Sequence, residues 1–260
     1  MTTPLSDPLA ARAKVLKLHG LLAHWEDIAT TPWVAPLIAW EEDERARRGL
    51  ERRLGNAHLG RFKPLADFDW HWPTQCDRIA IEDLMGLRFL GEAANVVLVG
   101  PNGVGKTMIA RNIAHQAVLA GHTVLFTSAG HMLNELAGAD GDNALRYRLS
   151  VYARPRLLVV DEVGYLSYSN RHADLLFEIV SRRYEAKSTL ITTNRPFAEW
   201  GEVFPNAACV VSLVDRLVHH AEIIAIQGES YRLKEAKERS EQRLKARRPG
   251  PKGTPTVHQP

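Results

Sequence analysis

Gly100-Pro101-Asn102-Gly103-Val104-Gly105-Lys106-Thr107 decides the fold of this chain. The apolar run Asn95-Val96-Val97-Leu98-Val99 leads into it, and the amphipathic stretch from Met108 to Ala114 leaves it. That order is strand, glycine loop, helix, the flanks that a phosphate-binding P-loop (Walker A) requires. The glycines let successive backbone N–H groups turn inward toward a triphosphate, and the following helix adds its positive N-terminal end. Lys106 then reaches the β- and γ-phosphates, and the Thr107 hydroxyl holds Mg2+. The stretch implies a nucleoside triphosphate site built from Gly100 through Thr107.

A second stretch supports the first. Arg156-Leu157-Leu158-Val159-Val160-Asp161-Glu162 is a short apolar run that ends in two carboxylates. Unbroken apolar runs of this length read as buried parallel strands. Carboxylates at the C-terminal end of such a strand fall on the ligand-binding rim of an open α/β sheet. Asp161 is then the Walker B group that holds Mg2+, directly or through water. Glu162 is the group that orients and deprotonates an attacking water. An ordinary acidic turn after a core strand is the competing reading, and the P-loop upstream weighs against it.

Working outward, strands are expected at 95–99, 123–127, 157–160, 188–193 and 222–226. Helices are expected from the P-loop to about Leu119, over 131–154 with a break at Gly138 to Asp142, over 172–186 and over 212–220. Alternation of this kind predicts an α/β fold with a five-stranded, mostly parallel sheet. Residues 9–62 read as helical, with Leu16, Leu18, Leu21, Leu22 and Trp25 as an uneven stripe that Pro32 and Pro36 interrupt. Phe62-Lys63-Pro64-Leu65 and Phe68 to Pro73 read as a linker with aromatic anchors. The expected organisation is a helical module over 1–70, for partner contact or oligomerisation, an α/β core over 71–235, and a basic, disordered tail over 236–260. From Arg232 to Lys252 there are nine Lys and Arg against three Glu. Such a run suits a solvated face or an arm that touches phosphates.

Composition sets bounds. With 260 residues, 45% of them hydrophobic, the chain can bury a large core and a small one. A net charge of +3 leaves partner identity to the placement of charge rather than its total. Cys76 and Cys209 stand alone, which argues against a disulfide framework or a cysteine zinc site and suits a reducing cytoplasm. No apolar run approaches the ~18 residues of a membrane span, and the first residues lack a signal-peptide pattern.

Further candidates sit around the core. Asn194, at the tip of the 188–193 strand, is placed to reach the γ-phosphate and the lytic water, with a plain turn at Asn194-Arg195-Pro196 as the alternative. Arg216 could extend into a neighbouring subunit's nucleotide or pair on the surface with Asp215 or Glu222. Arg146, Arg148 and Arg154 interleave with Tyr147 and Tyr152, a mixture that suits nucleic-acid backbones and also an ordinary surface helix. His219-His220 reads as a helix end, since the sequence offers no third ligand nearby.

With those residues in view, the chain resembles the IstB family of ATP-binding helpers of bacterial insertion-sequence transposition. That family sits with the helicase-loader DnaC and initiator DnaA branch of AAA+ ATPases. The matching stretches are NVVLVGPNGVGKT (95–107), LLVVDEVGYL (157–166), LLFEIVSRRYE (175–185), TLITTNRPF (189–197), DRLVHH (215–220) and GESYRLK (228–234), and the resemblance spans 10–235. It implies a P-loop AAA+ core with a minimal or absent lid and a small N-terminal helical domain. It implies a Mg2+-dependent ATPase that self-assembles with nucleotide at subunit interfaces, binds duplex DNA without sequence preference and stimulates a cognate transposase. A bacterial cytoplasmic location follows from the same likeness. Lys106 and Thr107 match Walker A, Asp161 and Glu162 match Walker B, Asn194 matches sensor 1 and Arg216 the arginine-finger position. Arg232 stands where a sensor-2-like contact to the nucleotide would be. Thr107-Met108-Ile109-Ala110 departs from the usual Thr-His-Leu-Ala but keeps the hydroxyl, and the Pro- and Lys-rich end beyond 245 has no counterpart. A DnaC-like helicase loader uses the same engine on a different partner. A P-loop small-molecule kinase needs an acceptor pocket with its own lid, and the sequence offers no such insertion.

Overall fold

The computed structural model describes residues 7–165, 168–205 and 207–247. Its contacts fall into two compact units, Met1–Ala57 and His58–Pro260.

The first unit holds helices α1 (Pro8–Val15), α2 (His19–Ala23), α3 (Trp25–Ile28) and α4 (Val34–Ala57). Asp7 caps α1 by accepting from the Leu9 N–H at 2.8 Å, and its other oxygen accepts from the Trp25 indole at 3.0 Å. Ala10, Ala13, Leu16, Trp25, Val34 and Ile38 form the buried core beneath. Arg12 grips Glu42 with two hydrogen bonds of 2.9 and 2.7 Å, tying α1 to α4. Pro36 does not interrupt the helical pattern as expected. It lies in the first turn of α4, where no intrahelical N–H is required.

The second unit contains α5 (Arg78–Met85), α6 (Arg88–Gly91), β1 (Asn95–Val99), α7 (Lys106–Leu119), β2 (Val124–Ser128), α8 (Ala129–Ala137), α9 (Asp142–Ala153) and β3 (Leu157–Val163). Then come α10 (Asn170–Arg183), β4 (Ser188–Thr193), α11 (Trp200–Val203), α12 (Ala207–Val218), β5 (Ala221–Ala225) and α13 (Tyr231–Arg247). The strands form one sheet in the order β2-β3-β4-β1-β5, with each neighbouring pair parallel. β1 to β4 are buried almost throughout, which is why β1, β2 and β3 each carry an unbroken apolar run, while β4 buries the hydroxyls of Ser188, Thr189, Thr192 and Thr193 around Leu190 and Ile191. β4 separates β3 from β1, so the loops after β1, β3 and β4 open at one edge of the sheet.

Two expected boundaries move. Residues 58–70 belong to the second unit: Asn112 of α7 accepts from the Leu65 N–H at 2.9 Å and donates to the Lys63 carbonyl at 3.0 Å. The expected tail is helical as far as Arg247, and 248–260 lies outside the described residues. Lys, Arg, Glu and Ala are good helix formers, so propensity outweighs the charge run over these residues.

Candidate functional site

The P-loop folds tightly against two other segments. Gly103 and Gly105 adopt φ of +83° and +101°, a region that glycine enters without strain. A Cβ at Gly103 would stand 2.1 Å from the Ser230 hydroxyl, and one at Gly105 would stand 2.4 Å from the Phe68 ring. Close approach as well as backbone turn therefore fixes glycine at both positions. Lys106 and Thr107 begin α7, at the end where the helix dipole favours an anion. Lys106 is buried, and its ammonium donates back to the loop carbonyls of Gly100 at 2.6 Å and Pro101 at 2.7 Å. Burial pulls its pKa down to about 8, against the opposing pull of Asp161, while the Arg232 charge lowers it further.

Asp161 is buried at the rim of β3. One of its oxygens accepts from the Thr107 hydroxyl at 3.0 Å and also from the Thr192 hydroxyl. Thr192 in turn accepts from the Glu162 N–H at 2.9 Å. Glu162 sits at φ +63°, in the left-handed region, where the β3–β4 register shifts between Val160 and Val163. An irregularity of this kind re-aims a side chain at a strand end. Here it leaves Asp161 inside and turns Glu162 out to the exposed rim. The sequence by itself gives Thr192 no role in the site. Its signal is a hydroxyl on the strand adjacent to the carboxylate pair, which is visible once β4 is known to lie beside β3.

A cavity of about 520 Å3 opens over the loop. Asn102 through Thr107 line it, together with Glu162, Thr192, Asn194 and Arg232. The Asn194 side-chain oxygen is buried without a hydrogen-bond partner, which leaves an acceptor free at the cavity edge. The segment expected to be a linker is a wall of this cavity. Phe62, Phe68 and Trp72 line it, opposite Tyr231 of α13. Lys63 pairs with Glu235 at 2.8 Å, Asp69 with Lys234 at 3.2 Å, and the Trp72 indole donates to the Glu229 carbonyl at 2.8 Å. This strap joins segments some 160 residues apart in sequence, so local periodicity could not show it.

The other expected residues lie elsewhere. Arg216 is not at the cavity. Its guanidinium stacks over Phe177 at 4.6 Å and donates to the Ser181 hydroxyl, both on α10, and lies 5.9 Å from the ring of Tyr184, which caps that helix. The surface pairing expected with Asp215 or Glu222 is replaced by this aromatic seat. On α9, Arg148 is held by Glu135, which also accepts from the Tyr152 hydroxyl, whereas Arg146 and Tyr147 are exposed. Arg154 is exposed just past the helix end.

The arrangement suits a nucleoside triphosphate with Mg2+. Thr107 and Asp161 offer hard oxygen donors side by side, and Lys106 sits at the head of a helix beside turned backbone amides. No helix among the described residues is long and apolar enough to cross a membrane.

Comparison with known proteins agrees with this geometry. A model of the family described as IstB-like ATP binding protein matches residues 11–239. The insertion sequence IS21 putative ATP-binding protein of Pseudomonas aeruginosa is 41% identical over 195 residues, which is 75% of this chain and 74% of that one. The IS5376 counterpart of Geobacillus stearothermophilus is 32% identical over 213 residues, 82% of this chain and 85% of its own. Among solved structures, DnaI superposes with a TM-score of 0.53 at 22% identity, covering 65% of this chain and 92% of that one. The DnaC helicase loader superposes with a TM-score of 0.52 at 21% identity, covering 66% and 97%. These likenesses show a fold shared with DnaI and the DnaC helicase loader.

Proposed function

We propose a function for this chain from one premise: it belongs to the IstB-like ATP binding protein family. It acts as an ATPase that assembles on duplex DNA without sequence preference and stimulates the transposase of its insertion sequence. The observation that carries the ATPase reading is the convergence of Lys106, Glu162, Arg232 and the unpaired Asn194 oxygen on one cavity. Lys106 and the loop amides bind the phosphates, while Thr107 and Asp161 would hold Mg2+. Bound there, Mg2+ would supply positive charge that offsets the negative charge of the phosphates. Glu162 takes the proton of the attacking water, Asn194 orients that water, and Arg232 supports the phosphates.

Arg216 acts on a neighbouring protomer's nucleotide. Its absence from the protomer's own cavity and its aromatic seat support that role. The exposed Arg146, Tyr147 and Arg154 support contact with DNA phosphates, with Arg148 held back by Glu135. Trp33, just before α4, and Leu37 and Trp40 on it are exposed, which supports protein contact by the N-terminal unit.

Light scattering with duplex DNA plus ATP, ADP or neither tests the assembly. ATP with DNA should give a multi-subunit particle that ADP does not sustain; a lone protomer in every condition would remove the reading. Arg216→Ala should lose turnover yet keep ATP affinity, and mixing it with Lys106→Ala should restore part of the activity, since one complete half-site forms. A pull-down of transposase against replicative helicase separates this function from helicase loading.

Lys106 supplies a pH-dependent test. Its pKa of about 8 lies below the usual lysine range because the ammonium is buried. A triphosphate stabilises the charged form, so its arrival raises that pKa and proton uptake accompanies binding near and above about pH 8. Calorimetry at that pH in two buffers of different ionisation enthalpy should give different heats. The difference should fall well below one proton at pH 6, where Lys106 is already charged.

A further inference from the structure

We propose that Glu185, His219 and His220 form a binding site for one divalent transition-metal ion of the zinc class, which clamps the C-terminal end of α10 to that of α12. The sequence presents His219-His220 without a third ligand, and the fold supplies one from 34 residues upstream. Glu185 Oε1 lies 3.8 Å from His219 Nδ1 and 4.0 Å from His220 Nε2, and the three donor atoms are all within 4.8 Å of one another. Zinc takes nitrogen at about 2.0–2.1 Å and carboxylate oxygen at about 2.0–2.2 Å, so tetrahedral donors stand about 3.3–3.5 Å apart. Small side-chain rotations close that gap.

Adjacent histidines diverge on a regular helix and point to opposite faces on a strand. His219 and His220 are in the turn between α12 and β5, and their ring centroids are 4.1 Å apart. The turn is what lets both rings face one carboxylate. The backbone holds both sides of the site in place. The His220 carbonyl accepts from the Asn95 N–H at 2.6 Å, at the start of β1. Glu185 adopts φ +54°, a conformation uncommon for a non-glycine residue, and the N–H groups of Ala186 and Lys187 bond the Arg183 carbonyl at 3.1 and 2.9 Å.

Two imidazoles and one carboxylate make a borderline donor set, which suits zinc-class ions and not Mg2+ or Ca2+. The three side chains are 50 to 56% exposed, so an ion enters from solvent and keeps water in its fourth position. The Tyr184 hydroxyl is 2.7 Å from His219 Nδ1. The ion takes over that lone pair, exchanging one hydrogen bond for a coordination bond. Arg216 rests over the Tyr184 ring, so the clamp stiffens the seat of that arginine.

Chelator-stripped full-length protein titrated with Zn2+ in excess Mg2+ tests this. Calorimetry should show one equivalent bound, with affinity at least about tenfold weaker for Glu185→Gln and lost in His219→Ala/His220→Ala. Circular dichroism and ATP affinity of the variants should match the parent protein, since these side chains lie outside the cavity. One equivalent of Cu2+ added to the unmodified protein should give an electron paramagnetic resonance spectrum split by imidazole nitrogen. No uptake of Zn2+, undiminished uptake by the double variant, or an oxygen-only Cu2+ spectrum would each overturn the proposal.

Discussion

Glu162→Gln should lower ATP turnover by about 10²–10⁴-fold while ATP affinity stays near that of the parent. The substitution keeps the size and hydrogen-bonding reach of the side chain and removes its capacity to take a proton. Glutamine meets the same backbone at φ +63°, so the bulge and the Thr192 contact to the 162 N–H should persist. Asp161 is untouched and still binds the Thr107 and Thr192 hydroxyls. A loss of turnover with retained binding would thus separate the base from the Mg2+ holder. On the proposed function, in which ATP drives assembly and hydrolysis ends it, ATP-bound assemblies should accumulate on DNA. Steady-state turnover together with nucleotide titration measures both sides. Unchanged turnover would take the base role from Glu162. Thr192→Val makes the companion test: it removes the hydroxyl that aligns Asp161 and Glu162, so turnover should fall although no group that touches phosphate has changed.

What the sequence made legible follows from how far each signal reaches along the chain. β1 is legible to the residue because a strand buried on both faces is an apolar run with ends, and β4 because β-branched Thr and Ile flank a short apolar centre. The P-loop and the 161–162 carboxylates were legible for the same reason, being local in sequence. Thr192 and the Phe68–Trp72 wall of the cavity were not. Each acquires its role from an element that only the fold brings near: β4 beside β3, and α13 beside the strap. Glu185 is not legible as a partner of His219 and His220 for the same reason. Arg216 was legible as a position and not as a geometry, since its aromatic seat belongs to a different helix. The helix through Arg247 was obscured by its own charge, although its residues favour a helix individually.

Arg183→Ala should destabilise the protein by at least about 3 kcal/mol, from the several acceptors it leaves unpaired. Arg183 ends α10 and is 1% exposed. Its guanidinium donates to the carbonyls of Tyr152 at 3.1 Å, Ala153 at 3.2 Å, Pro155 at 2.9 Å and Ser188 at 2.5 Å, and to the Thr189 hydroxyl at 3.0 Å. Tyr152 and Ala153 are the last residues of α9, whose end carbonyls have no intrahelical donor. Pro155 leads into β3, and Ser188 and Thr189 open β4. One cation therefore gathers a helix end and the entries to the two strands that carry Asp161 and Thr192. Burial lowers its pKa to about 9, which still leaves it charged at neutral pH. The positive charge favours the negative end of α9, and the planar fork matches several carbonyls at once. Lysine lacks that fork, so Arg183→Lys should recover part of the stability and not all of it. Chemical denaturation measures the loss. Because the anchored strands continue to the cavity, the damage should also reach ATP affinity, unlike that of Glu162→Gln. A stability within about 1 kcal/mol of the parent would mean that water replaces the guanidinium at those carbonyls, and that the strand entries hold without it.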